Sequence, residues 1–200
     1  FKPSGHLVVI DRIKDLACTS NGAQYSPQYI ENKLKFSSFI GEAVILGKDK
    51  PYLSAIICIR FSIVAKWAEQ SGYAFTNYTN LSTLPEVYAK LAEEISRVNE
   101  SLPESQKIHK FLLLYKELDA DDGELTRTRK VRRGVIADKY GDIISAIYDN
   151  KDVVDIDTTV VFQDGTKTRI QTQLKVTSLI ANEQSSKAAI EQANIERRAS

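Results

Sequence analysis

No methionine occurs anywhere in the chain and residue 1 is Phe, so the sequence is expected to begin inside a longer protein. Cysteine is nearly absent. Cys18 and Cys58 are too few for a disulfide framework, which excludes the stapled secreted scaffolds and fits a reduced, cytoplasmic setting. No apolar run approaches the roughly 18 residues of a membrane span, and no signal-peptide pattern opens the chain. Neither sign of charge is in excess. The 27 basic and 26 acidic residues leave a formal +1, so any attraction to nucleic acid or anionic membrane must be local. His6 and His109 are isolated, without the Cys or carboxylate spacing of a zinc site or a catalytic triad. What remains is a 200-residue, 42% hydrophobic chain, enough for one domain with a real core, or one domain plus an appendage.

Strand and helix signals alternate along it. The β-branched run at residues 7–10 reads as a strand. Ser26-Pro27 is a helix start, with Ser as N-cap and Pro at the first helical position, and Ile30 and Leu34 follow on one face. Residues 43–46 and 52–59 read as strands around the turn Gly47-Lys48-Asp49-Lys50-Pro51. A helix is expected from near Ser62, with Phe61, Val64, Ala65 and Ala68 on its buried stripe and Trp67 as a packing residue. After the polar stretch Asn77-Tyr78-Thr79-Asn80, Thr83 and Glu86 have capping-box spacing, and Val87, Leu91, Ile95, Val98 and Leu102 continue a helical stripe. Residues 108–115 read as a buried strand. Ile136, Tyr140, Ile143, Ile144 and Ile147 predict one more amphipathic helix. Further on, Val154, Ile156, Thr158, Val160 and Phe162 alternate at period two, Asp164-Gly165 is a hairpin turn, and Ile170, Leu174 and Val176 share a face of the returning strand. Residues 178–200 are polar with weak helical periodicity, equally a marginal helix or a disordered tail. The fold class expected is α/β (α+β): a small mixed sheet flanked by helices, with an appended C-terminal β-hairpin and polar tail.

Charge is concentrated in one place. Five of the eight residues 117–124 are acidic and five of the seven residues 127–133 are basic. Gly123 allows a turn between the blocks. Beyond it, Thr126, Thr128, Lys130 and Arg132 alternate as they would on one side of an extended segment. Lys130 is then expected in exposed, non-helical chain, where a compact charge on a long stem suits a phosphate or a developing anion.

Two motifs carry a family resemblance. Asp11-Arg12-Ile13-Lys14-Asp15-Leu16, followed by Gly22 and Ser26-Pro27-Gln28-Tyr29-Ile30-Glu31, resembles the hinge motif of adenylate-forming enzymes, the group of acyl-CoA synthetases, luciferases and peptide-synthetase adenylation domains. Gly123-Glu124-Leu125-Thr126, then Thr128 and Lys130-Val131-Arg132-Arg133, resembles the C-terminal lysine motif of the long-chain fatty acyl-CoA synthetases in that group. The two stand in the right order over a hundred residues apart, and the likeness covers roughly residues 5–148.

The resemblance implies a mobile C-terminal lid. Residues 1–13 would end a large N-terminal domain and enter the hinge, 14–150 would be the lid, 151–177 a hairpin extension and 178–200 a tail. It also implies an ATP-dependent fatty acid–CoA ligase as the whole protein, inactive as this piece alone. ATP, CoA and Mg would be bound mainly by the N-terminal domain, which is the lid's partner. By position, Lys130 matches the adenylation lysine, Lys14 the hinge, Arg12 the arginine that meets the nucleotide, and Gly22 the loop that faces CoA. A cation placed where charge develops stabilises the transition state more than the ground state, which suits Lys130. The loop Leu16-Ala17-Cys18-Thr19-Ser20-Asn21-Gly22 departs from the paired glycine or lysine–glycine of many relatives.

Rival classes are a non-catalytic interaction domain using the 151–200 extension, and a nucleic-acid module on residues 127–133. The neutral net charge, the adjacent acidic block and the lack of interleaved aromatics argue against nucleic acid. Peripheral membrane contact by the tail stays open. Gly41 to Gly47-Lys48 is a turn and no phosphate loop, because Asp49 stands where Ser or Thr is needed. Leu118 and Ala120 break the calcium-loop pattern at residues 119–124.

Overall fold

A computed structural model of the chain describes residues 12, 15–161 and 167–179. The strand expected at residues 7–10, Lys14, the turn Asp164-Gly165 and the tail from residue 180 lie outside the described residues. In chain order the elements are β1 (Ala17–Cys18), β2 (Gln24–Tyr25), α1 (Pro27–Lys35), β3 (Ile40–Leu46), β4 (Leu53–Ile59), α2 (Phe61–Gln70), α3 (Tyr78–Thr83), α4 (Pro85–Glu100), β5 (Ile108–Leu113), α5 (Arg133–Lys139), α6 (Gly141–Tyr148), β6 (Val153–Val161), β7 (Lys167–Lys175) and β8 (Thr177–Ser178).

β4 reads Leu-Ser-Ala-Ile-Ile-Cys-Ile and is buried at all seven positions, as a strand covered on both faces must be. It pairs antiparallel with β3 and parallel with β5, and β8 closes the far side antiparallel to β5, in the order β3-β4-β5-β8. Side chains alternate across this sheet. Ala43, Ile45, Ala55, Ile57, Phe111 and Leu113 face one core, with Ile30, Leu34, Val64, Val87, Leu91 and Ile95 of the helices between β1 and β5. Val44, Ile56, Cys58, Leu112 and Leu114 face the other, covered by Ile136, Tyr140, Ile143 and Ile147 of α5, α6 and their junction.

Local chemistry explains most element ends. Ser26 caps α1, its Oγ accepting from Tyr29 N–H at 3.1 Å, and Pro27 opens the helix. The expected capping box before α4 does not form. Thr83 ends α3, and its hydroxyl donates back to the Asn80 carbonyl at 2.8 Å, so Leu84 becomes the N-cap without a side-chain bond. α3 itself arises in the polar stretch, for which no element was expected, because Asn77 Oδ1 accepts from Asn80 N–H at 2.9 Å. Phe61, placed on the buried stripe of α2, is 37% exposed at the helix start, whereas Val64 and Ala68 are buried. Trp67 packs edge-on to Phe39, with ring centroids 6.0 Å apart.

The single helix expected over residues 136–147 is two. The break is Tyr140, at φ −116° and ψ 23°, just before Gly141. Glycine is a poor helix former, and the Tyr140 hydroxyl is held by Glu124 at 2.6 Å, which fixes the ring where a continuous helix would have to turn.

The hairpin beyond residue 150 forms as β6 and β7, in register from Val153↔Lys175 to Val161↔Lys167. One face of it closes the second core. Val154, Leu174 and Val176 are buried there, and Ile156 and Ile170 pack at its margin. Leu174→Ala is therefore expected to lower the unfolding free energy by about 2–5 kcal/mol, while Val153→Ala, at a 44% exposed position, changes it by less than about 0.5 kcal/mol. Denaturant melts of both variants check this, and similar small losses would mean the hairpin adds nothing to the core.

Candidate functional site

Gly123 and Arg129 turn the charged stretch through two left-handed corners, at φ 72° and 57°. The N–H groups of Glu124 and Leu125 both donate to the Asp119 carbonyl, at 3.0 and 3.2 Å, closing the acidic turn. Leu125 pairs with Val131 as an antiparallel bridge. Inside that bridge the Thr126 N–H donates to the Lys130 carbonyl and the Arg129 N–H to the Thr126 carbonyl, each at 2.8 Å. Residues 126–130 are thus a tight hairpin loop and not the extended segment that their alternation predicted. The loop's own backbone bonds outcompete extension, and the Thr126 hydroxyl adds another by accepting from Lys130 N–H at 3.0 Å. A three-residue hairpin loop needs a left-handed third residue, usually glycine, and here it is Arg129. That conformation costs a non-glycine residue roughly 1–2 kcal/mol.

The basic residues divide by partner. Arg129 reaches Glu42 of β3 through Nε at 3.1 Å and Nη2 at 2.9 Å, and Lys35 meets the same carboxylate at 3.2 Å. Arg133 grips both oxygens of Glu31 on α1, at 2.7 and 2.8 Å, and donates to the Ile45 carbonyl. Burial raises the Glu31 carboxyl above its ordinary value, and the Arg133 guanidinium pulls the other way. Lys130 is exposed and outside any helix, and among the described residues it has no ion pair.

The acidic turn is anchored by Glu124, which is fully buried. It takes Lys116 at 2.8 Å, Lys139 at 2.7 Å, the Tyr140 hydroxyl at 2.6 Å and the Asp119 N–H at 2.9 Å. Burial alone would push its carboxyl up, but these hydrogen bonds together hold it below its ordinary value. The charged stretch is therefore bolted to the sheet on both sides of Lys130.

Gly22 stands apart from this network, at φ 83° in a turn where its N–H donates to the Thr19 carbonyl. That turn is tied to the β3–β4 connection by Ser20 N–H to Lys50 and Asp49 N–H to Cys18. A Cβ at Gly22 would meet nothing within 4 Å, so only its backbone conformation asks for glycine. Arg12 is exposed, and its carbonyl accepts from Asp15 N–H at 2.9 Å. A cleft of about 1210 Å³ between α3, the acidic turn and β7 does not include Lys130 in its walls. Among the described residues no group of three or more His, Cys, Asp or Glu is arranged to hold a metal ion.

Glu31 stood in the sequence only as part of a motif, without a role of its own, and Glu42, Lys116 and Lys139 were not singled out. A signal existed for two of them. Glu42 interrupts the apolar run of β3, and Glu31 adjoins the buried Ile30 of α1; charged residues are seldom buried unless paired.

Residues 14–152 match the AMP-binding enzyme C-terminal domain family. The chain belongs to that family. The long-chain-fatty-acid–CoA ligase FadD15 of Mycobacterium tuberculosis is 31% identical over 148 residues, covering 74% of this chain and 25% of that protein. The long-chain-fatty-acid–CoA ligase ACSBG2 of Xenopus laevis is 29% identical over 163 residues, 72% of this chain and 22% of the relative. The chain thus spans about a quarter of the length of the relatives it matches. Its fold is like that of the carboxylate reductase adenylation domain of Mycobacterium chelonae, with a TM-score of 0.56 at 17% identity over 70% of this chain and 20% of the other. The A domain of carboxylic acid reductase from Segniliparus rugosus, solved with AMP and a carboxylic acid, gives 0.54 at 18% identity, over 71% of this chain and 21% of the other. The β6–β7 hairpin lies beyond residues 14–152, the part matched by the family.

Glu124 sets a pH signature. Its folded value is depressed, so the unfolded chain takes up the proton first as the pH falls. Its stabilisation is complete well above pH 4.5 and fades as the pH drops through the folded value. Glu124→Gln should unfold about 3–5 kcal/mol more easily at neutral pH, as expected for a buried pair broken on one side. Denaturation at a series of pH values should show that gap narrowing below pH 4.5, and a gap independent of pH would count against the assignment.

Proposed function

We propose that the chain is the mobile C-terminal domain of an ATP-dependent long-chain fatty acid–CoA ligase, with Lys130 as the residue that assists acyl-adenylate formation. The supporting observation is an exposed lysine without an ion pair among the described residues, on a hairpin loop whose flanking arginines are held by buried carboxylates. In the adenylating pose its ammonium would lie against the acyl carboxylate and the ATP α-phosphate, where negative charge concentrates as the carboxylate attacks. Magnesium would neutralise the other phosphates from the N-terminal domain. In the second pose Lys130 withdraws and the Gly22 turn faces the CoA thiol. Lys14 is the hinge in this reading, absorbing the backbone rotation between poses, and Arg12 meets the nucleotide. Free thiols at Cys18 and Cys58, the latter pushed up to about 12 by burial, suit a cytoplasmic setting. No helix among the described residues is long and apolar enough to cross a membrane. Two of the five basic residues at 127–133 are engaged with Glu31 and Glu42, which leaves a weaker patch for nucleic acid than the sequence suggests.

In the full-length ligase, Lys130→Ala is expected to slow pyrophosphate release by roughly 10²–10³-fold, the loss that follows removal of one charge-stabilising donor. Supplied with preformed acyl-adenylate and CoA, the same variant should form thioester at the native rate. Equal losses in both half-reactions would overturn the proposal. The chain alone should give no ATP–pyrophosphate exchange above a blank, because the triphosphate cradle is assigned to the N-terminal domain.

A further inference from the structure

We infer that Glu42 and Arg129 are a positioning pair for Lys130, acting through the loop backbone without touching substrate. The inference rests on the proposed role of Lys130 in adenylation. Arg129 directly precedes Lys130 and occupies the loop's left-handed position at φ 57°, where glycine would be unstrained. Its guanidinium is drawn back onto the sheet by Glu42, with two nitrogens within 3.1 Å of one carboxylate oxygen. Glu42 is 5% exposed and sits in β3, whose neighbour β4 is buried throughout, so its own position hardly varies. The result is a short rigid link from the central sheet to the residue before the lysine. The Lys130 N–H and carbonyl are both engaged by Thr126, so a shift of Arg129 moves the lysine's Cα with it.

This arrangement answers why an arginine stands where glycine would cost less. A glycine permits the turn but lets it rock about its φ and ψ angles. Arginine accepts strain and returns a charge-assisted contact that selects one loop position. Adenylation requires the ammonium within hydrogen-bond reach of a small charge centre, and a displacement of about 1 Å can reduce the rate about 100-fold. The neighbouring Lys35 satisfies Glu42 from the other side, so the carboxylate stays paired when the domain moves.

The test is a double-mutant cycle in the full-length ligase, followed by pyrophosphate release and, separately, by thioester formation from preformed acyl-adenylate. Arg129→Gly removes the clamp while relieving the backbone strain, and its side chain is 70% exposed, so this variant is expected to fold. Glu42→Gln removes the same contact from inside, and where loss of the buried charge prevents folding, Arg129→Gly decides. Each is expected to slow adenylation about 10- to 100-fold, with the KM for ATP and the thioester step unchanged. Combined with Lys130→Ala, neither should slow adenylation further, because a residue that acts only through the lysine has nothing left to position. Arg129→Lys, which keeps the charge and loses the second nitrogen, should fall between. A further loss in the Lys130→Ala background would mean that Arg129 meets substrate itself and would overturn the inference. Equal slowing of both half-reactions would overturn it as well, as a general effect on the fold. If Lys130→Ala is slow and Arg129→Gly is not, only the positioning role falls; if Lys130→Ala is itself normal, the proposed role of the lysine falls with it.

Discussion

Three buried glutamates hold the charged stretch of this protein onto its sheet. Glu31 and Glu42 rise from α1 and β3 to take Arg133 and Arg129, and Glu124 turns inward to take Lys116, Lys139 and the Tyr140 hydroxyl. An ion pair withdrawn from water returns little net free energy, because desolvation offsets most of the attraction, whereas losing one partner is costly. The consequence is geometric. With three buried carboxylates that each must be met, the loop between them is held where all three are answered, and Lys130 is left exposed without an ion pair among the described residues. Arg129 and Glu124 do the same work from opposite ends of the hairpin, one across to the sheet and one down into the second core.

That anchoring depends on a sheet covered on both sides. β4 carries no position free for solvent, and its neighbours β3 and β5 alternate between two cores over residues 43–46 and 111–113. The first is roofed by the helices that precede β5 and the second by α5 and α6 with the β6–β7 hairpin. The hairpin lies beyond the residues matched by the family, yet it and the residue after it supply Val154, Leu174 and Val176 to the second core and deliver β8 to the free edge of β5. Capping that edge removes a row of unpaired backbone groups, a common liability of small open sheets. The extension therefore adds to a core that also carries Tyr140, and through Tyr140 it is coupled to Glu124.

Much of this was legible in the order of residues. Ser26-Pro27 announced α1 because both the cap and the fixed φ of proline act within a few residues. The stripes Val87, Leu91, Ile95 and Val154, Ile156 announced a helix and a strand because burial repeats with the period of the backbone. The charged turn and Lys130's exposure could be read for the same reason, since dense charge and glycine act locally. The capping box at Thr83 and the single helix over residues 136–147 failed where a local rule met a competitor: the hydroxyl bonded its own helix, and Gly141 with the Glu124 bond to Tyr140 broke the stripe.

The sequence by itself determined the element pattern, the family resemblance and the place of the lysine in the chain, since each depends on residues close together or on a motif read in order. Only the tertiary structure decided that Arg129 answers Glu42, 87 residues away, and that Arg133 answers Glu31 at a separation of 102. It also decided that residues 126–130 form a closed loop and that the hairpin belongs to the second core. A charge in a sequence shows that a partner is needed once it is buried, but which partner depends on where the sheet brings distant segments together. No local period encodes that distance.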